Sequence, residues 1–240
     1  MAATYDLINY DSEAEQENDP HGPPRANLFA AAFYASRLLS ANDIQYAIMG
    51  GFAMICRGSQ RSTSDIDIVT EANMARLWDV ITPQPRMIPL TSQHRLKIPN
   101  TRLIEGVIKV FVETGPKYND TACLENRWIE VDLMIPGFKG TPTQLSSHIV
   151  RLPVAIGDEQ HEIPCLDILY MMRSKLRHCV TRGMDKDVED VQYLLKNFGT
   201  EISNIQHQLN QDEVDQFLTL DWAAAIPPSL MAYYRQTLGR

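Results

Sequence analysis

Short apolar runs and strict alternation mark strands in the first part of the chain, and helical periodicity marks its last part. The predicted strands are Tyr46 to Met49, Asp65 to Val69, Met87 to Leu90, Leu96 to Ile98, Ile104 to Glu113 and Arg127 to Ile135, followed by a hairpin between Arg151 and Leu166. The predicted helices are Asn27 to Asn42, Phe52 to Arg57, Ala72 to Ile81, Asp167 to Val180 and Asp185 to Asn197, with further helical structure from Glu201 to Arg240. This order predicts an α+β fold, in which helices flank a mixed β-sheet and a helical region ends the chain.

Composition divides the chain into three predicted parts. Residues 1–25 are predicted to be a flexible acidic arm, because residues 11–25 combine acidic side chains, proline and glycine with no large aliphatic side chain. Residues 26–164 contain the predicted sheet and its helices. Residues 165–240 form the predicted C-terminal helical region, which we expect to pack on the sheet domain.

The charge distribution sets an expectation about partners. The chain has a net charge of -8, but its first 24 residues contain six acidic side chains and no Lys or Arg, so the remainder carries only -2. A nearly neutral body offers no general attraction to long nucleic acids, although a local basic patch could still hold a triphosphate or one end of an RNA. The acidic arm could recruit a protein partner.

Cysteine usage and hydropathy indicate the compartment. The four cysteines lie far apart and form no C-x-x-C pair, so neither a zinc site nor a disulfide framework is indicated; they are Cys56, Cys123, Cys165 and Cys179. We expect reduced, mostly buried thiols in a cytoplasmic protein, with the nucleus as the alternative. The longest apolar run, Leu28 to Ala35, is too short to span a bilayer, and residues 1–20 lack the pattern of a signal peptide.

A paired glycine follows the first predicted strand. Gly50 and Gly51 allow the backbone to turn sharply and to approach a ligand closely. The short helix predicted after them would direct unpaired N–H groups and the positive end of its dipole at an anion such as a phosphate.

Two acidic residues begin the second predicted strand. Asp65 and Asp67 alternate with branched apolar residues, so both carboxylates lie on one face of the strand. At a rise of about 3.3 Å per residue their backbones are about 6.6 Å apart, which lets both side chains reach one or two metal ions. Hard carboxylate oxygens favour Mg²⁺, which keeps coordination sites open for water and substrate phosphate.

This combination resembles a known family. Gly50-Gly51, a short helix and then Asp65-x-Asp67 is similar to the signature of the nucleotidyltransferase (polymerase-beta-like) superfamily. The segment Arg61 to Asp67, RSTSDID, most resembles the stand-alone bacterial-type members, which include the toxin components of AbiE-like abortive-infection systems. The resemblance implies that residues 26–164 are the catalytic domain and that a third carboxylate lies on a neighbouring strand. Asp132, within the alternating run Arg127 to Ile135, is the best match.

The resemblance also implies roles for individual residues. Asp65, Asp67 and Asp132 would be the catalytic residues and the ligands of two Mg²⁺ ions. Nucleotide contacts would come from Gly50, Gly51, Arg61 and Ser64, and from a later segment in which Lys175 and Arg182 match cations assigned to the phosphates. In that segment Asp187 and Asp190 match acids used mainly for packing and orientation.

Other charged residues near these motifs leave two interpretations open. His94, Arg95, Lys97, Arg102 and Lys109 make one stretch basic, and Glu130 shares the predicted face of Asp132. Basic side chains that face the carboxylates could help to hold substrate phosphates. A solvated strand face is the alternative for most of them.

The predicted activity is metal-dependent transfer of an NMP from an NTP, ATP among them, to a hydroxyl acceptor with release of pyrophosphate. The acceptor stays open among a tRNA end, a protein hydroxyl and a small molecule. The alternative is a non-catalytic nucleotide-binding or scaffold member of the same fold. A calcium-binding role is disfavoured because the sequence lacks a twelve-residue loop that ends in Glu.

Overall fold

The structure is a computed structural model that describes residues 22–89 and 106–240. The chain divides into two compact units, one ending at Cys165 and the other spanning Leu166–Arg240. Several predictions lie outside the described residues: the acidic arm up to residue 21, the strand Leu96 to Ile98, and the basic residues His94, Arg95, Lys97 and Arg102.

The first unit is a sheet with helices around it. Its elements are α1 (Arg25–Ala41), β1 (Tyr46–Met49), α2 (Gly50–Cys56), β2 (Asp65–Thr70), α3 (Met74–Ile81), β3 (Met87–Pro89), β4 (Val107–Thr114), β5 (Arg127–Met134), β6 (Ile149–Ile156) and β7 (Glu159–Leu166). The described strands form one seven-stranded sheet in the order β3-β4-β5-β2-β1-β7-β6. The predicted α+β fold with a mixed sheet is confirmed.

Strand pairing in the centre of the sheet is both parallel and antiparallel. β2 pairs with β5 in parallel and with β1 antiparallel, and β4 pairs with β5 antiparallel. β1 also pairs with β7 in parallel. Because β2 and β5 are parallel and adjacent, residues far apart in sequence lie side by side on one face of the sheet.

Helix α1 covers the face of the sheet opposite to the acidic residues of β2 and β5. Asn27 donates from its side-chain nitrogen to Thr114 Oγ1 at 2.9 Å and to the Glu125 carbonyl at 3.0 Å. On β4, Thr114 and Lys109 are an odd number of residues apart, so their side chains point to opposite faces. The buried hydrophobic residues Ile66, Ile68, Val131 and Leu133 alternate with the acidic ones on β2 and β5 and belong to the α1 side.

Helices α1, α2 and α3 begin at residues other than the predicted ones, and α2 begins at Gly50 instead of Phe52. Helix α1 begins at Arg25, not at Asn27, and the Arg25 guanidinium donates to the Ser59 carbonyl at 3.2 Å. Helix α3 begins at Met74, not at Ala72, because the Asn73 side chain accepts from the Arg76 N–H at 2.9 Å and caps the helix.

The second unit is helical. Its helices are α4 (Ile168–Arg182), α5 (Asp185–Ile205), α6 (Gln211–Phe217) and α7 (Pro228–Thr237). The predicted end of α5 at Asn197 is wrong, because the helix continues to Ile205 through a kink at Phe198, where φ is -128°. The predicted packing of the last segment is confirmed for Leu209, Val214, Phe217 and Leu218, which are buried, and Trp222 contacts the Phe217 ring.

Within residues 22–89 and 106–240, no helix combines the length and the apolar character that a membrane crossing needs.

Candidate active site

The site is built on the parallel pair of strands β2 and β5. Asp67 and Asp132 are direct register partners, as are Asp65 and Glu130 two residues earlier along the strands. In-register residues on adjacent strands point to the same face, so four carboxylates share one patch of the sheet. The register thus places the Asp132 backbone beside that of Asp67, and the catalytic and metal-binding roles of the three acids stay predictions.

Gly50 lies directly against this patch. Its φ is +66°, and a Cβ atom added there would come within 2.0 Å of Asp67 Oδ2. Glycine at position 50 is needed both for this left-handed conformation and for the close approach of its backbone to the Asp67 carboxylate. Helix α2 starts at Gly50, with no side chain capping its first turn. The predicted glycine turn beside the aspartates is therefore present.

The predicted nucleotide contacts Gly51, Arg61 and Ser64 lie in and around the segment that precedes β2. A Cβ atom on Gly51 would approach Thr63 Oγ1 at 2.5 Å and the Arg61 guanidinium carbon at 3.4 Å, so this segment runs close over the second glycine. Thr63 Oγ1 in turn donates to Asp65 Oδ1 at 2.9 Å. Ser64 directly precedes Asp65 in the chain. The structure thus places Gly51 and Arg61 near the aspartate patch, and Asp65 has a partner in Thr63.

Asp132 is the most buried of the three predicted catalytic acids. Its side chain is 10% exposed, and Lys109 on β4, its register partner, places Nζ 3.1 Å from Asp132 Oδ1. The same ammonium also contacts the Glu130 carboxylate, whose side chain is 6% exposed. Lys139 lies further out, 3.9 Å from Asp132 Oδ2. Asp132 Oδ1 nevertheless makes no hydrogen bond, since the Lys109 contact meets the distance for an ion pair without the geometry of a hydrogen bond.

The predicted three-carboxylate metal centre is not assembled in these side-chain positions. Among the described residues, no group of three or more His, Cys, Asp or Glu side chains is close enough together to hold a metal ion. Two of the acids have partners within the chain: Asp65 Oδ1 accepts from Thr63, and Asp132 Oδ1 lies against Lys109.

The residues present nonetheless fit a hard divalent cation. Asp67 and Asp132 offer carboxylate oxygens in register, and Asp132 Oδ1 is a buried acceptor that faces the Lys109 ammonium without accepting a hydrogen bond. The Gly50 backbone lies so close to Asp67 Oδ2 that a side chain at position 50 would collide with this oxygen.

The two cations predicted from the later motif belong to the second unit. Lys175 Nζ is 2.7 Å from Asp190, and both side chains are almost fully buried. Arg182 donates to Asp187 Oδ1 at 3.0 Å. The predicted packing role of Asp187 and Asp190 agrees with these contacts. The predicted phosphate contacts of Lys175 and Arg182 stay predictions.

A cavity of about 570 Å³ lies in the first unit and includes none of the predicted site residues. It is lined by side chains of α1, such as Phe33 and Arg37, and by Tyr46, whose register partner is Thr70. Thr70 is an odd number of residues from Asp65 and Asp67, so the cavity is on the α1 side of the sheet, opposite the carboxylates.

Sequence reasoning left the role of Lys109 open and did not single out Thr63 or Lys139 as parts of the site. Lys109 was one of five basic residues in a segment that gave no strand register, so nothing distinguished it from the others. The available signal was its position inside the predicted strand Ile104 to Glu113, but that strand alone gives no register against the strand of Asp132.

Comparison with known protein families identifies the family of the chain. The model of the AbiEii family, described as the nucleotidyl transferase AbiEii toxin of a type IV TA system, matches residues 32–224. This chain belongs to the AbiEii family. The match includes the Gly50-Gly51 turn, the Asp65, Asp67 and Asp132 strands, and helices α4 and α5 of the second unit. The resemblance to nucleotidyltransferases is therefore confirmed, and the family supports nucleotidyl transfer as the general kind of activity.

Two solved structures are similar to this AbiEii-family chain. One is an antigenic nucleotidyltransferase-like protein from Paracoccidioides brasiliensis, with 15% identity, a TM-score of 0.46, and coverage of 69% of this chain and 73% of the other. The second is a nucleotidyltransferase candidate from Thermotoga maritima, with 15% identity, a TM-score of 0.38, and coverage of 74% and 98%. No curated protein matches the chain.

Proposed function

We propose that this chain is a metal-dependent nucleotidyltransferase that moves an NMP from an NTP to a hydroxyl acceptor. The acceptor oxygen attacks the α-phosphorus, the bond from that phosphorus to the bridging oxygen of the β-phosphate breaks, and pyrophosphate leaves. The observation that carries the proposal is the register pairing of Asp67 with Asp132, directly beside the backbone of Gly50.

The residues of the first unit would each make a distinct contribution. The first turn of α2, which has no side-chain cap, offers backbone N–H groups to the phosphates. Asp67 and Asp132 would hold Mg²⁺, which neutralises charge on the phosphates and on the departing pyrophosphate when it is bound. A carboxylate of this pair accepts the proton of the acceptor hydroxyl. Thr63 fixes Asp65 through its hydrogen bond, so Asp65 is oriented before substrate arrives.

A non-catalytic nucleotide-binding role is the second candidate. The contact that favours it is the ion pair of Lys109 with Asp132, which gives one of the three acids a protein cation as its partner. In that case the chain would bind NTP without releasing pyrophosphate, and the labelled-transfer experiment separates the two roles.

The proposal is tested by transfer of label. The full chain is incubated with Mg²⁺ and one α-labelled NTP at a time, in the presence of total tRNA, of a protein extract, or of a metabolite extract. We expect one acceptor class to take up label, and Asp67→Asn to lower the incorporation rate by several orders of magnitude, as the loss of a metal ligand does in two-metal enzymes.

The control variant for this experiment is Asp158→Asn, which removes an exposed carboxylate from the β6–β7 turn. It should incorporate label at the rate of the unchanged chain. Nucleotide binding without label transfer to any acceptor class, by a folded chain, would favour the non-catalytic role instead.

A further inference from the structure

A lysine lies in the row of carboxylates where a divalent cation is expected. Across three adjacent strands, Asp67, Asp132 and Lys109 are consecutive register partners. The Lys109 ammonium contacts both Asp132 and Glu130, and its own side chain is 27% exposed. A cation that is held in this way by two buried carboxylates is a structural part of the patch rather than a solvated surface charge.

The negative charge of the patch explains why a lysine is favourable at this position. Asp65, Asp67, Glu130 and Asp132 place four carboxylates on two neighbouring strands, and such a group repels itself unless a cation lies among them. Lys109 supplies one positive charge from within the chain. A divalent ion that uses the buried Oδ1 atom of Asp132 would meet the Lys109 ammonium, which faces this atom at 3.1 Å.

We infer that Lys109 is an internal competitor of the divalent cation for Asp132, so that metal binds the Oδ1 atom only when the ammonium moves away from it. This inference rests on the proposed function, because it concerns the same metal site. Lys109 holds Asp132 and Glu130 in place before metal arrives and keeps the affinity for free metal low. Lys139 plays no such part, because it is 44% exposed and 3.9 Å from Asp132 Oδ2.

The test measures Mn²⁺ binding to the full chain without nucleotide, by the electron paramagnetic resonance signal of free Mn²⁺. Lys109→Met removes the charge and keeps much of the length of the side chain. We expect its Kd for Mn²⁺ to fall by about tenfold or more, which corresponds to about 1.4 kcal/mol. Lys109→Arg keeps the charge and Lys139→Met removes the outer one, and both should stay within about threefold of the unchanged chain.

A double variant separates competition at Asp132 from the total charge of the patch. Lys109→Met combined with Glu130→Gln has the same net charge as the unchanged chain and keeps the Asp132 carboxylate in place. If Lys109 competes for Asp132, this variant still binds Mn²⁺ more tightly than the unchanged chain. If only net charge matters, the two dissociation constants are equal, and the inference is wrong. The double variant also gives a reading if Lys109→Met alone does not fold.

The remaining outcomes are also decisive. Equal or weaker Mn²⁺ binding by folded Lys109→Met overturns the inference, and so does the absence of binding by every variant. A failure of the proposed function would look different: the Lys109 variants would bind Mn²⁺ more tightly, yet the unchanged chain would transfer no label to any acceptor. Active transfer with unchanged dissociation constants would instead reject the inference and keep the proposed function.

Discussion

At the scale of single residues, Gly50 is the position where the backbone and the chemistry constrain each other. Gly50 has φ of +66°, and a Cβ atom there would overlap Asp67 Oδ2. Glycine is therefore required both for the left-handed conformation and for the close approach of the backbone to the carboxylate. The Asp67 carboxylate is thus held between the α2 start and Asp132, its partner on β5. A substitution at Gly50 should act on the site through Asp67 rather than through the core.

The first prediction compares two glycines. Gly50→Ala should lower the free energy of unfolding by more than the roughly 1–2 kcal/mol that a left-handed conformation costs an L-residue, because it adds a collision with Asp67. It should also reduce nucleotidyl transfer at least about tenfold, as expected for a displaced ligand. Gly183→Ala is the matched control, since Gly183 has φ of +63° but nothing within 4 Å of its Cβ position. Urea unfolding measures the stability of both variants. Equal losses of unfolding free energy in the two variants would show that a side chain at position 50 does not collide with Asp67.

At the scale of elements, helix α4 makes two ion pairs of very different burial, one with α5 and one with α6. The Lys175–Asp190 pair at 2.7 Å is nearly inaccessible, with side-chain exposures of 4% and 3%. The Arg177–Glu213 pair joins α4 to α6 at 3.6 Å, and its Arg177 side chain is 58% exposed. One helix thus contributes a cation to a buried ion pair and another cation to an exposed one.

The second prediction uses that contrast. Lys175→Met leaves the Asp190 carboxylate buried without its cation, which should destabilise the chain by about 3–5 kcal/mol. Arg177→Met should change the stability by less than about 1 kcal/mol, because exposed ion pairs contribute little. Chemical denaturation of both variants checks this. A loss below about 1 kcal/mol for Lys175→Met would mean that Asp190 has other buried partners that suffice.

The elements around the site were largely predictable from sequence, and particular residues show why. The run Tyr46–Met49 is correct residue for residue, because polar Gln45 and the paired glycines bound it on both sides. The alternation of Arg127–Met134 identified the face that carries Asp132. Alternation gives the face of a strand but not its neighbour, so the contact of Lys109 with Asp132 required the strand order.

Helix ends were predicted less well, since they depend on partners distant in sequence or on single caps. Helix α5 passes through Phe198 and Gly199, a pair that is typical of a helix end, and continues to Ile205. Tyr233 from α7 donates to the Leu195 carbonyl at 2.9 Å in this region, a contact that no local pattern indicates. The long C-terminal helical segment likewise breaks into α6 and α7 around Pro227 and Pro228.

At the scale of the whole molecule, the free thiols make stability depend on alkaline pH. All four cysteines are buried, as predicted. Burial, with the nearby Asp120, raises the pKa of Cys123 to about 11. Burial, with Asp187 and Asp190, raises the pKa of Cys179 to about 12. The thiols in the folded chain therefore stay protonated at pH values where an unfolded thiol, with a pKa of about 8.5, has ionised.

The third prediction follows from the sign of these shifts. A folded pKa above the unfolded value means that the contribution to stability is intact below about pH 8.5 and is lost as pH rises toward the folded pKa. For Cys179 the loss should approach about 1.4 kcal/mol per pH unit between pH 9 and 11. Comparing the pH dependence of urea unfolding for the unchanged chain and Cys179→Ala isolates this thiol. Parallel curves would show that Cys179 ionises equally in both states.

The family match spans residues 32–224 and includes strands β2 and β5. The activity proposed for the chain depends first on the carboxylate pair that these two strands bring together. The most direct measurement is the rate of Mg²⁺-dependent pyrophosphate release from NTP and acceptor by the unchanged chain and by Asp132→Asn, with circular dichroism to show that both are folded. We predict release by the unchanged chain and a loss of several orders of magnitude in the variant. Equal rates in the two folded proteins would contradict the account, because Asp132 would then not belong to the active site.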